Sequence, residues 1–284
     1  MRVPLVLAAL FLTASFAPLG TSVALDDDRA MAALASIPRQ HVLPEGIEPQ
    51  YCPEDAVEWS FLEFEYPNPL DESETVHIFA LCAGTGDFNE ADLHATDDPG
   101  TDCESDAFRR TGWRFNEPVS FRVDTLTTNY LGFLNPNTVR QQTLQSMESW
   151  NAATPTDLVG TVTTGFVLPG QVILGNGANE ITFEVHPLAP TAVAVTGTFS
   201  SGGIARESDA YYNPIWSWTT TGSGGFDYMH VATHEIGHTY GLDHPPTNGT
   251  NSCLTMYAFT SSNQVHARTL GDGDILGIQN IYGA

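Results

Sequence analysis

The chain has 284 residues, 42% of them hydrophobic, and a formal net charge of −24 with no lysine among its ten basic residues. This size is enough for one hydrophobic core and a smaller appended region. The acidity argues against nucleic acid and anionic membrane surfaces as partners. Calcium binding or a saline habitat would account for the acidity, although a well-solvated surface is the simpler explanation.

The first 24 residues have the features of a secretory signal peptide. Arg2 precedes an apolar stretch, and the small-residue pattern Ser22-Val23-Ala24 stands just before an acidic run. A membrane anchor is the alternative, but Thr13, Ser15 and Pro18 interrupt the stretch, which falls short of the ~20 residues that a span needs. We therefore predict a secreted, extracellular protein with no stable membrane anchor once the signal is removed.

The charge changes sharply near residue 110. Residues 25–110 hold 21 acids and 4 arginines, a charge of −17, whereas residues 111–284 hold 13 acids and 5 arginines, a charge of −8. We therefore predict a small acidic N-terminal region at 25–110 followed by a second domain at 111–284. The acidic region contains two strand-like runs, "VEWSFLEFEY" and "ETVHIFALCA", so we expect it to fold. It is either a pro-region cleaved near Arg109 and Arg110 or a permanently attached accessory domain.

The four cysteines suit an exported protein. Cys52, Cys82, Cys103 and Cys253 allow three pairings, and the sequence does not choose among them. A Cys52–Cys82 bridge would be local, and it would leave Cys103 to connect the acidic region to Cys253, in the loop before Met256.

Residues 111–284 show strand patterns first and helix patterns later. Alternation of Val119, Phe121 and Val123 predicts a first strand, and "NTVRQQTLQSMESWNAAT" predicts a helix ending by Pro155. "NEITFEV", "TAVAVTGTF" and "IARESDAYYN" predict further strands. A glycine-rich "TGSGGF" then precedes a helix that carries "HEIGHTYGLDH".

The stretch "HEIGHTYGLDH" has the spacing of a catalytic metal site. His234 and His238 are four residues apart and share one helix face, while Glu235 flanks that face as a general base would. Gly241 can adopt the left-handed conformation that ends a helix and returns His244 as a third ligand. Three imidazoles leave one zinc position open to water. Chance histidines are the alternative, but the complete HExxHxxGxxH pattern is highly specific.

This motif resembles that of the metzincin metalloproteases, and the flanking sequence resembles their matrixin branch. Met256 in "CLTMYAF" matches the methionine turn beneath the zinc, and "TLGDGDILGIQNIYG" is similar to the closing matrixin helix, with Asp274 near its start. Asp227 is a candidate N-cap of the active-site helix. The resemblance covers roughly the last 170 residues and implies an α+β fold: a mixed twisted sheet, an active-site helix and a C-terminal helix, preceded by the small acidic region.

The chain departs from the vertebrate matrixins in two respects. It lacks the "PRCGxPD" string whose cysteine blocks the zinc, and acid-flanked Cys52 and Cys103 are poor substitutes. His186 is the only histidine between His94 and His230, so we do not predict the family's second, structural zinc. A zinc-ligand role for His230 itself is not expected either.

The resemblance implies a zinc endopeptidase that acts on protein or peptide substrates as a monomer. We expect an extended peptide to bind along an edge strand, "AVAVTGTF", and therefore to contact Val193, Ala194 and Val195, with Tyr257 in the wall beyond the scissile bond. Zinc is the predicted cofactor, and calcium is a second candidate. The alternatives are a secreted binding or adhesion protein with a relic protease fold, and a metalloamidase acting on other substrates.

Overall fold

The computed structural model describes residues 47–52, 63–68, 71–84, 103–130, 134–167 and 175–284. The predicted signal peptide, residues 1–24, lies outside the described residues, as do several stretches of the acidic region. No helix in the described part of the chain is long and apolar enough to span a membrane. All the described residues belong to one compact unit.

The strands and helices that the sequence predicts for residues 111–284 occur in the predicted order, together with a short helix at Thr125–Tyr130 and a strand at Val159–Gly165 that it does not predict. The strands are β1 (Glu63–Pro67), β2 (Thr75–Ala83), β3 (Arg109–Arg110), β4 (Val119–Asp124), β5 (Val159–Gly165), β6 (Asn179–Thr182), β7 (Ala194–Ser201), β8 (Ile204–Tyr212), β9 (Trp218–Thr219), β10 (Phe226–Asp227), β11 (Leu242–Asp243) and β12 (Phe259–Thr260). The helices are α1 (Thr125–Tyr130), α2 (Pro136–Asn151), α3 (Tyr228–Thr239) and α4 (Asp272–Tyr282), with a short 3-10 helix at His266–Arg268.

The main sheet is mixed, as predicted, and its strands run in the order β1-β2-β7-β8-β6-β4-β5. β5, β4, β6 and β8 are mutually parallel, whereas β8, β7, β2 and β1 alternate in direction. β12 adds a short parallel pairing to β2. Two strands of the acidic region therefore belong to the same sheet as the strands of the C-terminal part, and the α+β fold is confirmed.

The strand predicted to bind substrate is not an edge strand in the intact chain. β7 pairs with β8 on one side and with β2 on the other, where Thr75–Leu81 lie opposite Ala194–Ser200. The sequence-based expectation of an edge at "AVAVTGTF" is therefore wrong for this chain. The reason is that the acidic region supplies the neighbour, and a strand's own residue pattern does not show which segment pairs with it.

Helix caps and buried side chains explain how α2 and α3 meet. The Asn135 side chain accepts the Asn137 amide at 2.9 Å and Pro136 opens α2, which is a favourable helix start. Met147 and Trp150 on α2 are fully buried. The Trp150 indole Nε1 donates to a carbonyl of α3 at 2.8 Å, so the two helices are joined by a hydrogen bond within an apolar contact.

Asp227 caps α3, as the sequence predicts. Its Oδ1 accepts the His230 amide at 2.9 Å. Arg268 also donates to both carboxylate oxygens, at 2.8 and 2.7 Å, from the 3-10 helix that follows the methionine turn. The start of α3 is thereby fixed to that short helix by a bidentate ion pair.

All four cysteines form disulfides, Cys52–Cys82 and Cys103–Cys253. Of the three pairings left open by the sequence, this is the one that pairs Cys52 with Cys82 and connects Cys103 to Cys253. Cys82 is the penultimate residue of β2, so this bridge connects the end of that strand to Cys52.

Residues 103–110 are attached to the C-terminal part although the predicted boundary assigns them to the N-terminal region. Cys103 carries the disulfide to Cys253, and β3 pairs antiparallel with β11. The amides of Asp272 and Gly273, at the start of α4, donate to two carbonyls of this segment at 3.1 and 2.7 Å. The segment therefore satisfies helix-end amides that would otherwise need water.

Candidate metal centre

Helix α3 and the turn after it bring the three predicted histidine ligands together. The chain turns at Gly241, whose φ is 94°, and passes through β11 to His244. The Nε2 atoms of His234, His238 and His244 lie 3.0, 3.1 and 3.2 Å from one another. All three side chains are at most 1% exposed.

Hydrogen bonds fix which nitrogen of two of these rings faces the centre. Nδ1 of His234 lies 2.7 Å from the Thr255 carbonyl oxygen, and Nδ1 of His238 lies 2.9 Å from that of Leu242. A carbonyl oxygen only accepts, so each Nδ1 carries the proton and each Nε2 presents a lone pair. Burial lowers the pKa of all three imidazoles, that of His234 to about 4, which favours the neutral rings that a metal binds.

The donor set fits a zinc ion. Two neutral lone pairs facing each other at 3.0 Å repel unless a cation lies between them. Two nitrogen ligands about 2.0–2.1 Å from a tetrahedral zinc lie about 3.3 Å apart, close to the spacing of the triad. Within the described ranges, this triad is the group of three or more metal-ligating side chains that converges on one point.

Glu235 lies beside the triad on the same helix and is fully buried. Its Oε2 accepts the Thr196 hydroxyl at 2.6 Å, and its Oε1 has no hydrogen-bond partner among the described residues. Burial raises the pKa of Glu235 to about 8, and the Thr196 hydrogen bond opposes this rise. A nearby dication would lower the pKa again, because its charge favours the carboxylate.

Met256 and α4 support the metal centre, Met256 by contact with α3 and α4 by hydrogen bonds to the methionine turn. A Cβ atom on Gly237 would lie 2.2 Å from the Met256 sulfur, so only glycine allows the methionine this close to α3. The Asp274 carboxylate accepts the amides of Thr255 and Met256 at 2.8 and 3.2 Å. Because the Thr255 carbonyl holds the His234 ring, the closing helix positions one of the predicted ligands through this turn.

The Gly241 turn gives a prediction about stability. A Cβ atom on Gly241 would lie 2.4 Å from the Trp113 carbonyl oxygen, in a backbone conformation with φ of 94°. We expect Gly241→Ala to lower the free energy of unfolding by about 2–4 kcal/mol, combining left-handed strain with a backbone clash. Urea unfolding measures this loss, and the zinc content should fall with it.

Gly112→Ala is the matched control for that variant. Gly112 has a similar φ, 92°, but an added Cβ would meet no atom within 4 Å. This change should cost only the backbone term, about 1–2 kcal/mol. Equal losses in the two variants would show that contact with Trp113 is not what makes glycine necessary at 241.

The four predicted substrate contacts lie on two segments that flank β2. Val193 precedes β7, and Ala194 and Val195 begin it; all three are buried. Tyr257 lies just before β12 and is also buried. The Val193 amide donates to the Leu81 carbonyl of β2 at 2.8 Å. The predicted contacts therefore meet a segment of the chain itself.

His230 is turned away from the metal centre. Its Nε2 lies 3.0 Å from the Thr260 hydroxyl, and its Nδ1 accepts the Ala267 amide at 3.2 Å. The ring thus connects α3 to β12 and to the 3-10 helix. His230 therefore has a packing role between these elements.

Sequence reasoning missed the groups that orient the site. Thr196 is one of several threonines in a strand pattern, and nothing marks it as the partner of Glu235. The carbonyls of Thr255 and Leu242 hold two histidine rings, but backbone carbonyls occur at every residue and leave no signal in a sequence. The only signal in the sequence is position, because Thr255 directly precedes Met256 and Leu242 directly follows Gly241.

A histidine triad presented by a helix and a glycine turn, with a glutamate beside it and a mixed sheet above, defines a metalloprotease of the metzincin class. The chain belongs to the matrixin family: the family profile described as Matrixin matches residues 112–283, more than half of the 284 residues. The resemblance and the fold predicted from the motif are thereby confirmed. Matrixins are zinc-dependent endopeptidases, and among the described residues the triad is a group that could bind a metal.

Known relatives show similarity at modest identity. The chain is 25% identical to the hatching enzyme of Paracentrotus lividus over 176 residues, 61% of this chain and 26% of that protein. It is 31% identical to matrilysin of Homo sapiens over 81 residues, 28% of this chain and 29% of that protein. Stromelysin-1 of Equus caballus is 35% identical over 82 residues, 28% of this chain and 16% of that protein. The chain thus spans less than a third of the length of each of these relatives.

Proposed function

We propose that this protein is a secreted zinc endopeptidase in which His234, His238 and His244 hold the metal and Glu235 is the general base. The observation that carries the proposal is the convergence of three imidazole Nε2 atoms, 3.0–3.2 Å apart, beside a buried carboxylate. Three neutral imidazoles with one open position are the ligand set of a catalytic zinc rather than a structural one.

The residues of the site suggest how a peptide bond would be hydrolysed. Zinc, when bound, would polarise the scissile carbonyl and lower the pKa of water to about 7. Glu235 would take a proton from the attacking water at Oε1, the oxygen with no partner among the described residues, and deliver it to the leaving amine. Thr196 would keep the carboxylate oriented through Oε2. No covalent bond to the protein is needed.

We further propose that a substrate peptide lies extended between β7 and residues 257–260. Strand addition supplies backbone hydrogen bonds that do not depend on the peptide's side chains. Val193, Ala194, Val195 and Tyr257 are the proposed contacts on these two segments. A peptide bound there would place its scissile bond beside the triad and Glu235.

Secretion and a monomeric state complete the proposal. Two disulfides suit an oxidising compartment, and the first 24 residues have the sequence features of a signal peptide. Proteins or peptides are the proposed substrates, and nucleic acid is disfavoured as a partner by the net charge of −24. Calcium stays a prediction that rests on this acidity alone.

Casein zymography of the full chain tests the proposal. The gel accumulates hydrolysis over hours of incubation, so slow turnover by the intact chain still gives a band. We expect a clear band that 1,10-phenanthroline abolishes and added zinc restores. The non-chelating isomer 1,7-phenanthroline is the matched control and should leave the band unchanged. Casein hydrolysis that survives chelation would contradict a zinc mechanism. Absence of hydrolysis even by a zinc-loaded chain in which β2 no longer pairs with β7 would contradict the endopeptidase assignment.

A further inference from the structure

Strand β2, residues Thr75–Ala83, lies between the two segments proposed to hold a substrate peptide. On one side it pairs antiparallel with β7 over seven residues, from Thr75 opposite Ser200 to Leu81 opposite Ala194. On the other side it runs parallel to β12. The backbone groups with which β7 and β12 would bind a substrate peptide are therefore already paired with β2.

Hydrogen bonds continue this pairing through the end of the strand. The Val193 amide donates to the Leu81 carbonyl at 2.8 Å. The Cys82 amide donates to the Ala258 carbonyl, and the Gly84 amide to the Thr260 carbonyl, each at 3.1 Å. A second extended peptide finds no free backbone partner along this stretch, because each β-strand edge pairs with one neighbour at a time.

The side chains of β2 point at the metal centre from one face of the strand. The Phe79 ring stacks on the His238 ring, with centroids 4.6 Å apart and an interplanar angle of 15°. Phe79 also lies opposite Thr196, the residue that holds Glu235. Leu81, two residues on and on the same face, is buried in the cluster that contains Met256.

The result is a catalytic centre with almost no solvent-accessible surface. His234, Glu235, His238 and His244 are each at most 1% exposed in the chain that includes β2. A hydrolase must admit both water and peptide to these groups. The intact chain therefore has to move β2 before it can act.

We infer that β2 fills the substrate cleft and keeps the intact chain inactive. The inference rests on the proposed function for the identity of the cleft and adds how access to it is controlled. The block needs no thiol or carboxylate on the metal, because backbone pairing and two apolar side chains, Phe79 and Leu81, occupy the space. A tethered strand also competes at an effective concentration of order mM, which dissolved substrates seldom match.

The covalent connections decide where a cut would release β2. The Cys52–Cys82 bridge lies wholly on the N-terminal side and does not hold β2 to the catalytic part. A cut at Arg109 or Arg110 would leave β2 attached through the Cys103–Cys253 disulfide. These two arginines are also paired with β11, a poor conformation for a protease. A cut at the site expected from the sequence would therefore not by itself release β2.

Two full-chain variants test whether β2 blocks the cleft. Leu81→Asp places a charge where Leu81 is buried, so we expect the initial rate of peptide hydrolysis to rise by about tenfold or more over the parent. Ile204→Asp makes the same apolar-to-acid change at a residue that is 38% exposed on β8 and should hydrolyse at the parental rate. An unchanged rate in Leu81→Asp, or an equal rise in both variants, would overturn the inference. Leu81→Ala replaces Leu81→Asp if the charged variant does not fold.

A binding measurement separates this inference from the proposed function. The probe is a fluorescein-labelled peptide with the sequence of residues 75–83 and serine in place of cysteine, and both proteins carry Glu235→Ala and bound zinc. Fluorescence anisotropy should show at least tenfold tighter binding when Leu81→Asp is also present. Equal binding would overturn the inference even if the enzyme is active. A third outcome is tighter binding with no hydrolysis by any chain that retains Glu235. This outcome would support the blocked cleft and contradict the endopeptidase assignment.

Discussion

Replacement of Glu235 by alanine is expected to reduce peptide hydrolysis by about 10²–10⁴-fold, the usual loss when a general base is removed. The change should be made in the parent and in Leu81→Asp, so that slow access through β2 does not mask the loss. Zinc content should stay near that of the parent, because Glu235 accepts from Thr196 and its free oxygen is not part of the triad. Initial rates and metal analysis of the same preparations measure both quantities.

Glu148→Ala is the control for Glu235→Ala. Glu148 is an exposed glutamate on α2, so its loss removes the same group without touching the site. It should leave both rate and zinc content unchanged. Turnover retained in Glu235→Ala would refute the general-base assignment, whereas loss of zinc from that variant would show that Glu235 supports the metal instead.

Replacement of His244 by alanine is expected to remove zinc and activity together. Only two imidazoles would remain, and the buried His234 and His238 lone pairs would then face a cavity on the third side. Loss of groups that merely orient a ligand costs about 10–100-fold in metal affinity, so loss of the ligand itself should cost about 100-fold or more. Zinc analysis after dialysis and titration with a zinc indicator measure the affinity.

Comparison of His244→Ala with Glu235→Ala separates loss of the metal from loss of the general base. Both lose activity in the proposal, but only His244→Ala loses the metal. Because bound zinc stabilises the folded state, added zinc should raise the Tm of the parent and of Glu235→Ala, and leave that of His244→Ala nearly unchanged. Stoichiometric zinc in dialysed His244→Ala would show that this histidine is not a ligand.

The sequence was most informative where a local spacing sets the geometry. His234 and His238 share a helix face because of the 3.6-residue helix period. Gly241 has a φ of 94°, a conformation that favours glycine, and it turns the chain towards His244. The geometry of the triad therefore follows from eleven consecutive residues. Asp227 was predicted as a cap for the same reason, since a capping side chain reaches only the first turn of its own helix.

The sequence does not predict which strands and which cysteines pair when they are far apart in the chain. The residues of "ETVHIFALCA" predicted a strand correctly, but not that it would pair with β7 and cover the metal centre. Strand propensity reflects a side chain's fit to a pleated surface and contains no information about which surface. The disulfide partners were undetermined for a similar reason, because four cysteines at these spacings satisfy three connectivities until the fold brings them together.

The attachment of residues 103–110 sets a practical limit on where a shortened protein can begin. A protein starting at Thr111 would expose Cys253 as an unpaired thiol, able to form dimers by oxidation in air. It would also lose β3 beside Asp243, the residue before His244, and would open the first turn of α4 to water. Recombinant material beginning at residue 111 would therefore combine an aggregation hazard with a loosened ligand loop. Beginning at Cys103 keeps the disulfide, the short strand and the helix start in a single piece.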